Sequence, residues 1–169
     1  MKQKLVFLRH GKSAYPDGVP DHDRPLAARG ERQATLAGQW INDKVGAFDL
    51  ILCSTATRTR KTLENAGLQG PVVYLDELYD ESHLAYIDVI RAHGGENRHI
   101  AVVGHQPAIA ATALALISNR DDPVARQMEA KYPTSGVALL KGSRPFSGLE
   151  TGHMTLVDFH VPERKHGGK

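Results

Sequence analysis

Leu5-Val6-Phe7-Leu8-Arg9-His10-Gly11 holds the key to the fold. Four apolar residues run without alternation and then stop at an arginine, a histidine and a glycine. An unbroken apolar run this short reads as a strand covered on both faces, the pattern of a parallel sheet. The polar residues that end it sit where such a strand runs out.

The same pattern recurs further along. Leu50-Ile51-Leu52-Cys53 is a second run, followed at once by Ser54-Thr55. Val72-Val73-Tyr74-Leu75 is a third, and Ile100-Ala101-Val102-Val103 a fourth, passing into Gly104-His105-Gln106-Pro107. Helical patterns separate them. One covers about 30–44, with Ala34, Leu36, Ala37, Trp40 and Ile41 on or near its apolar face. Ser54-Thr55 are N-cap residue types for a helix to Ala66, and Gly67 suits its C-terminal cap. Helices follow over about 82–93, after Pro107, and over about 124–131; a proline is favoured in a first helical turn. The segments 136–140 and 154–159 read as closing strands with no helix between them, hence as an antiparallel pair. The expected architecture is a three-layer α/β/α sandwich around a mostly parallel sheet, one domain over 1–162, with a flexible tail over 163–169.

In such sheets the ligand site lies beyond the carboxyl ends of the strands. Arg9-His10, Ser54 and Gly104-His105 each follow a strand directly, so three strand ends can deliver polar groups to one crevice.

Composition narrows the function classes. The chain has 169 residues, enough for one buried core, with 41% hydrophobic and 24% charged residues. The formal net charge is +2, and no dense basic stripe points to nucleic acid. Cys53 is the single cysteine, so no internal disulfide can form, in keeping with a cytoplasmic location. Lys2 and Lys4 lead into four apolar residues only, too few for a signal peptide or a membrane span, so the N-terminus reads as mature. The histidines are dispersed, so no metal site and no cofactor is expected. Gly11-Lys12-Ser13 resembles the end of a P-loop, but Val6 stands where that motif needs its first glycine.

The crevice residues suit a phosphoryl group. Without a metal, that anion must be surrounded by fixed donors and cations. Arginine serves best, because its planar fork gives two parallel hydrogen bonds. Arg9 ends the first strand, and Arg58 lies about one turn into the second helix, near its positive N-terminus. A neutral imidazole can attack phosphorus through one nitrogen when the other donates to a fixed acceptor. His10 fits that role, with Gly11 allowing the backbone to come close to the bound anion. His105 offers a second imidazole as donor. Lys12, Ser13, Tyr15, His22 and Arg24 share the following loop, at the pocket entrance or in solvent.

Four ordered motifs carry a family resemblance across about 110 residues. Leu8-Arg9-His10-Gly11 resembles the signature of the histidine phosphatase superfamily, with its phosphoglycerate-mutase-like fold. Pro25-Leu26 with Gly30 and Gln33-Ala34, then Ser54 through Arg58 to Thr62, then Val103-Gly104-His105-Gln106-Pro107, are similar to its further motifs. The short length, Arg9-His10-Gly11-Lys12-Ser13, Glu77-Leu78-Tyr79-Asp80 and Tyr132-Pro133-Thr134-Ser135 resemble the SixA-type phosphohistidine phosphatases. The resemblance implies a metal-independent phosphatase with His10 as nucleophile and Arg9, Arg58 and His105 around the phosphate. It aligns Asp80 with the family's proton donor, with Glu77, Glu81 and water as alternatives. The implied substrate is a phosphorylated protein, or else a small phosphorylated metabolite; a non-catalytic phosphate-binding module has no need of a nucleophile.

Overall fold

The computed structural model describes residues 2–79 and 82–162. Among these described residues six strands form one sheet: β1 (Gln3–Arg9), β2 (Leu50–Ser54), β3 (Val72–Leu75), β4 (His99–Gly104), β5 (Val137–Gly142) and β6 (Thr155–His160). Their spatial order is β3-β2-β4-β1-β5-β6. Strands β3, β2, β4 and β1 run parallel. Strand β5 is antiparallel to both β1 and β6, so the closing pair forms as expected.

Among the described residues, five α-helices cover the two faces: α1 (Ala28–Lys44), α2 (Thr57–Ala66), α3 (His83–Gly94), α4 (Ala108–Leu116) and α5 (Pro123–Ala130). Strand periodicity sorts the core into two layers. Leu5, Phe7, Leu52, Ile100 and Val102 face one way, toward Ile87, Ile90, Ile109, Leu116 and Met128 of α3, α4 and α5. Val6, Leu8, Ile51, Cys53, Ala101 and Val103 face the other way, toward Ala37 and Ile41 of α1 and Leu63 and Ala66 of α2. Alternate side chains of one apolar run thus feed opposite cores, which is why the runs show no polar alternation. Burial pushes the Cys53 thiol up to about 12, so it behaves as a small core residue.

Two local expectations change. Leu36 is exposed; the buried stripe of α1 instead includes Gln33 and Gly38. A Cβ at Gly38 would lie 1.9 Å from the carbonyl oxygen of Ala66, so α1 and α2 cross in backbone contact there. Ser54-Thr55 do not cap α2, which starts at Thr57 after Ala56. Ser54 belongs to β2, and its hydroxyl accepts only a 3.3 Å bond from Ala56 N. Gly67 does close α2, in the left-handed conformation at φ 65°. None of the described helices is long and apolar enough to cross a membrane.

Candidate active site

Strand register builds the floor of the site. Arg9 is paired with Gly104, and Cys53 with Val103, so the ends of β1, β4 and β2 lie side by side. The His10 amide then donates to the Gly104 carbonyl at 3.1 Å. The rings of His10 and His105 follow, with centroids 5.2 Å apart. Both are nearly inaccessible, at 9% and 2% exposure. Gly104 is required on the far side of the turn, where a Cβ would lie 2.3 Å from the Tyr86 hydroxyl. That hydroxyl accepts from the His105 amide at 2.9 Å and donates to the Leu78 carbonyl at 2.6 Å.

The tautomer of His10 follows from its neighbour. Nδ1 lies 2.7 Å from the Gly11 carbonyl oxygen, which can only accept, so Nδ1 carries the proton. The lone pair is left on Nε2. Burial is the main cause that drives the His10 pKa down to about 4; Arg9, Arg58 and Arg24 add to it, against the opposing Gly11 hydrogen bond. His105 falls to about 3, first through burial, then through His10 and Arg58. Both rings are therefore neutral near pH 7. The Ser54 hydroxyl stands 2.8 Å from His105 Nε2, while His105 Nδ1 is buried without a partner among the described residues.

The loop after β1 is locked by the second family motif. A Cβ on Gly11 would lie 2.5 Å from the Gly30 oxygen, and one on Gly30 would lie 2.0 Å from the Lys12 oxygen. The close approach that requires Gly11 is therefore to the start of α1, rather than to the anion alone. Gln33 Oε1 accepts from the Lys12 amide at 2.9 Å. Thr62 accepts from the Gly11 amide at 2.9 Å and donates to the Arg58 carbonyl at 2.7 Å, tying the loop to α2. Residues about 20 and 51 positions further along the chain thus converge on the backbone that orients His10.

Both arginines reach the pocket, and both are held by their outer edges. Arg9 Nη1 donates to the Tyr132 carbonyl at 2.8 Å. Arg58 Nη1 donates to the Asp21 carbonyl at 2.7 Å, and Nη2 to Asp21 Oδ2 at 3.1 Å. In each, Nε is buried with no partner among the described residues. Buried donors are rarely left unpaired. Arg9 Nε and Arg58 Nε thus make a pair of unmet donors around the two imidazoles, with His105 Nδ1 a third polar atom left unmet, the arrangement an oxyanion would complete.

The four residues singled out as a set, Arg9, His10, Arg58 and His105, are brought together. Arg24 lies just outside, donating to Ser13 Oγ at 2.8 Å and stacking 4.0 Å from the centre of the exposed Tyr15 ring. Lys12 stands 5.8 Å from the same ring. His22 touches Thr55 Oγ1 at 3.0 Å and packs edge-on against Tyr79. Glu77 is exposed on the single turn 76–78. Asp80 and Glu81 lie outside the described residues, as does the tail 163–169.

Asp21 escaped the sequence reading, and so did the contacts made by two motif residues, Tyr79 and Ser135. Asp21 joins the site through Arg58, Arg24 and Tyr79, yet its spacing gives no sign that separates it from Asp17 or Asp23. Tyr79 was legible as part of a motif, but not as a partner of Asp21. Ser135, at φ 55° and fully buried, donates its amide to the His10 carbonyl at 2.9 Å. Ser135 stood in a motif, but a serine gives no sign that it will adopt a conformation that favours glycine.

The model of the histidine phosphatase superfamily (branch 1) matches residues 5–87. An uncharacterized protein of Mycobacterium tuberculosis is 46% identical over 157 residues, covering 92% of this chain and 99% of that one. Two solved structures of putative SixA phosphohistidine phosphatases superpose along nearly their whole length. The one from Nakamurella multipartitia has a TM-score of 0.88 at 32% identity, covering 97% of this chain and 98% of its own. The one from Agrobacterium tumefaciens has a TM-score of 0.79 at 31% identity, covering 95% and 99%.

Proposed function

Since the chain belongs to the histidine phosphatase superfamily and is a hydrolase of phosphoesters or phosphoramidates, we propose that it is a protein phosphohistidine phosphatase working through a phosphorylated His10. The observation that carries the reading is the state of His10: Nδ1–H fixed on the Gly11 carbonyl, ring neutral, Nε2 free to attack.

His10 Nε2 forms a bond to phosphorus as the bond to the leaving group breaks in line. Arg9 and Arg58 take the equatorial oxygens through their Nε edges, and His105 donates from Nδ1. Water then attacks the phosphoenzyme, releasing inorganic phosphate and restoring the neutral ring. Neither arginine changes protonation, so the charge stabilisation is in place before the reaction begins.

The choice of leaving group turns on proton supply. Among the described residues, Asp21 is the carboxylate that contacts Arg58, and it stays ionised. Its hydrogen bond from Tyr79, then Arg58 and Arg24, hold it well below the usual carboxylate range. It cannot serve as an acid near pH 7. An imidazole has a reference pKa of about 6.5 and leaves with far less assistance than an alkoxide. Phosphohistidine is therefore the substrate that this pocket suits best, with water or Asp80 as the proton source.

The test compares kcat/KM for a phosphohistidine protein, an aryl phosphate and a panel of sugar phosphates. Preference is expected in that order, with the aryl ester between because its leaving group is also good. A sugar phosphate turned over faster than the phosphoprotein would overturn the substrate assignment and leave a small-ester phosphatase.

A further inference from the structure

Arg58 depends on a residue that no sequence motif marks. Arg58 is 6% exposed, so the hydrogen bonds of its guanidinium must come largely from protein or ligand. Two come from Asp21. The main-chain carbonyl takes Nη1 and the carboxylate takes Nη2, which occupies the end of the fork. A guanidinium bonded across its Nη1–Nη2 end cannot turn without losing both bonds. The edge left over carries Nε, the atom that is buried and unpaired. Arg58 depresses the pKa of both His10 and His105, so its charge lies close to both rings.

Asp21 itself is pinned from three directions. Tyr79, just after β3, donates its hydroxyl to Oδ2 at 2.5 Å. Arg24 donates Nε to Oδ1 at 3.1 Å, and its Nη1 reaches Ser13 and Ala14 in the loop after β1. Arg58 contributes the third direction from α2. One carboxylate thereby couples three separate chain segments, although its side chain is 54% exposed. The pair joins a buried guanidinium to a carboxylate half in water, where solvent screening weakens its contribution to stability. Its value here is geometric.

We propose that Asp21 is the positioning residue for Arg58, holding the end of the guanidinium so that its Nε edge is presented to the phosphoryl group. The bond from Nη1 to the Asp21 main chain marks this as a lasting arrangement, in which an arriving anion completes Arg58 and does not evict Asp21. The inference rests on Arg58 being a phosphoryl ligand, as proposed above.

The experiment measures calorimetric affinity for inorganic phosphate, together with kcat and KM on an aryl phosphate, for Asp21→Ala, Asp21→Asn and Arg58→Lys. Asp21→Ala should weaken phosphate binding roughly tenfold or more and lower kcat, with the thermal midpoint nearly unchanged. Asp21→Asn keeps an oxygen acceptor for Arg58 and should bind phosphate within about threefold of the parent, or more tightly. Phosphate affinity unchanged or raised in Asp21→Ala would overturn the proposal, because Asp21 would then be passive or a competitor for Arg58. An Asp21→Asn variant as impaired as Asp21→Ala would overturn its hydrogen-bond basis. Phosphate affinity insensitive to Arg58→Lys would instead refute the phosphoryl-ligand reading itself, so the two failures are distinguishable.

Discussion

Arg9 and Arg58 present the same unmet Nε to the same pocket, but they are supported in opposite ways. Arg9 ends a central strand, with its amide bonded to the Gly136 carbonyl at 3.1 Å and its side chain bonded to the Tyr132 carbonyl. Both partners are main-chain atoms that no side-chain substitution removes. Arg58 stands in the first turn of α2 and leans on the Asp21 carboxylate as well as on a carbonyl. One half of the pocket is thus fixed by sheet register. The other is fixed by side chains on a loop, and can be altered one residue at a time.

The largest effects should come from the arginines themselves. Arg9→Lys and Arg58→Lys should each lower kcat/KM by about 10²–10³, since lysine cannot offer a fixed side edge. Steady-state kinetics on an aryl phosphate would check this. The contrast lies in the double variants. Adding Asp21→Ala should cost nothing further beside Arg58→Lys, but its full effect should remain beside Arg9→Lys. Equal additivity in both backgrounds would break the distinction.

A second test concerns the charge state of the two rings. His10 and His105 are lowered to about 4 and about 3. Between those values and the ordinary 6.5, the unfolded chain binds protons that the folded protein refuses. Stability should therefore be fully present above about pH 6.5 and fall as the pH drops toward 4. NMR titration should find both rings uncharged at pH 5.5, and denaturation midpoints should decline over this window. A His10 titration near 6.5 would show that burial and the arginines do not set its state.

A smaller effect is expected at the joint between the halves. Thr62→Val leaves the buried Gly11 amide without its acceptor and should destabilise the protein by about 1–3 kcal/mol. Urea denaturation would measure it. An unchanged midpoint would mean that the loop after β1 is held without α2.

What could be read from the sequence follows the same division. The unbroken apolar runs announced the parallel strands, and the polar residues after β1 and β4 announced Arg9, His10 and His105, because register alone carries them together. Arg58 was legible from its place in the first turn of a helix after β2. Asp21 was not, and neither were the contacts of Tyr79 and Ser135, which stood only as members of motifs: loops that fold back over 37 or 58 residues to reach a partner leave no periodic trace. The assignment of Ser54 to a helix cap failed for a related reason: tertiary contact with His105 outweighed a local preference. Leu36 misled because a helix stripe is set by where the neighbouring helix crosses, and α2 crosses α1 at Gly38.

The central claim, that His10 accepts the phosphoryl group on Nε2, is most directly tested by rapid-quench trapping with radiolabelled substrate followed by peptide mapping. The label should be acid-labile, should map to the peptide containing His10, and should vanish with turnover in His10→Ala while the fold is kept. Turnover fully retained in His10→Ala, with no trapped phosphoenzyme in the parent, would contradict it.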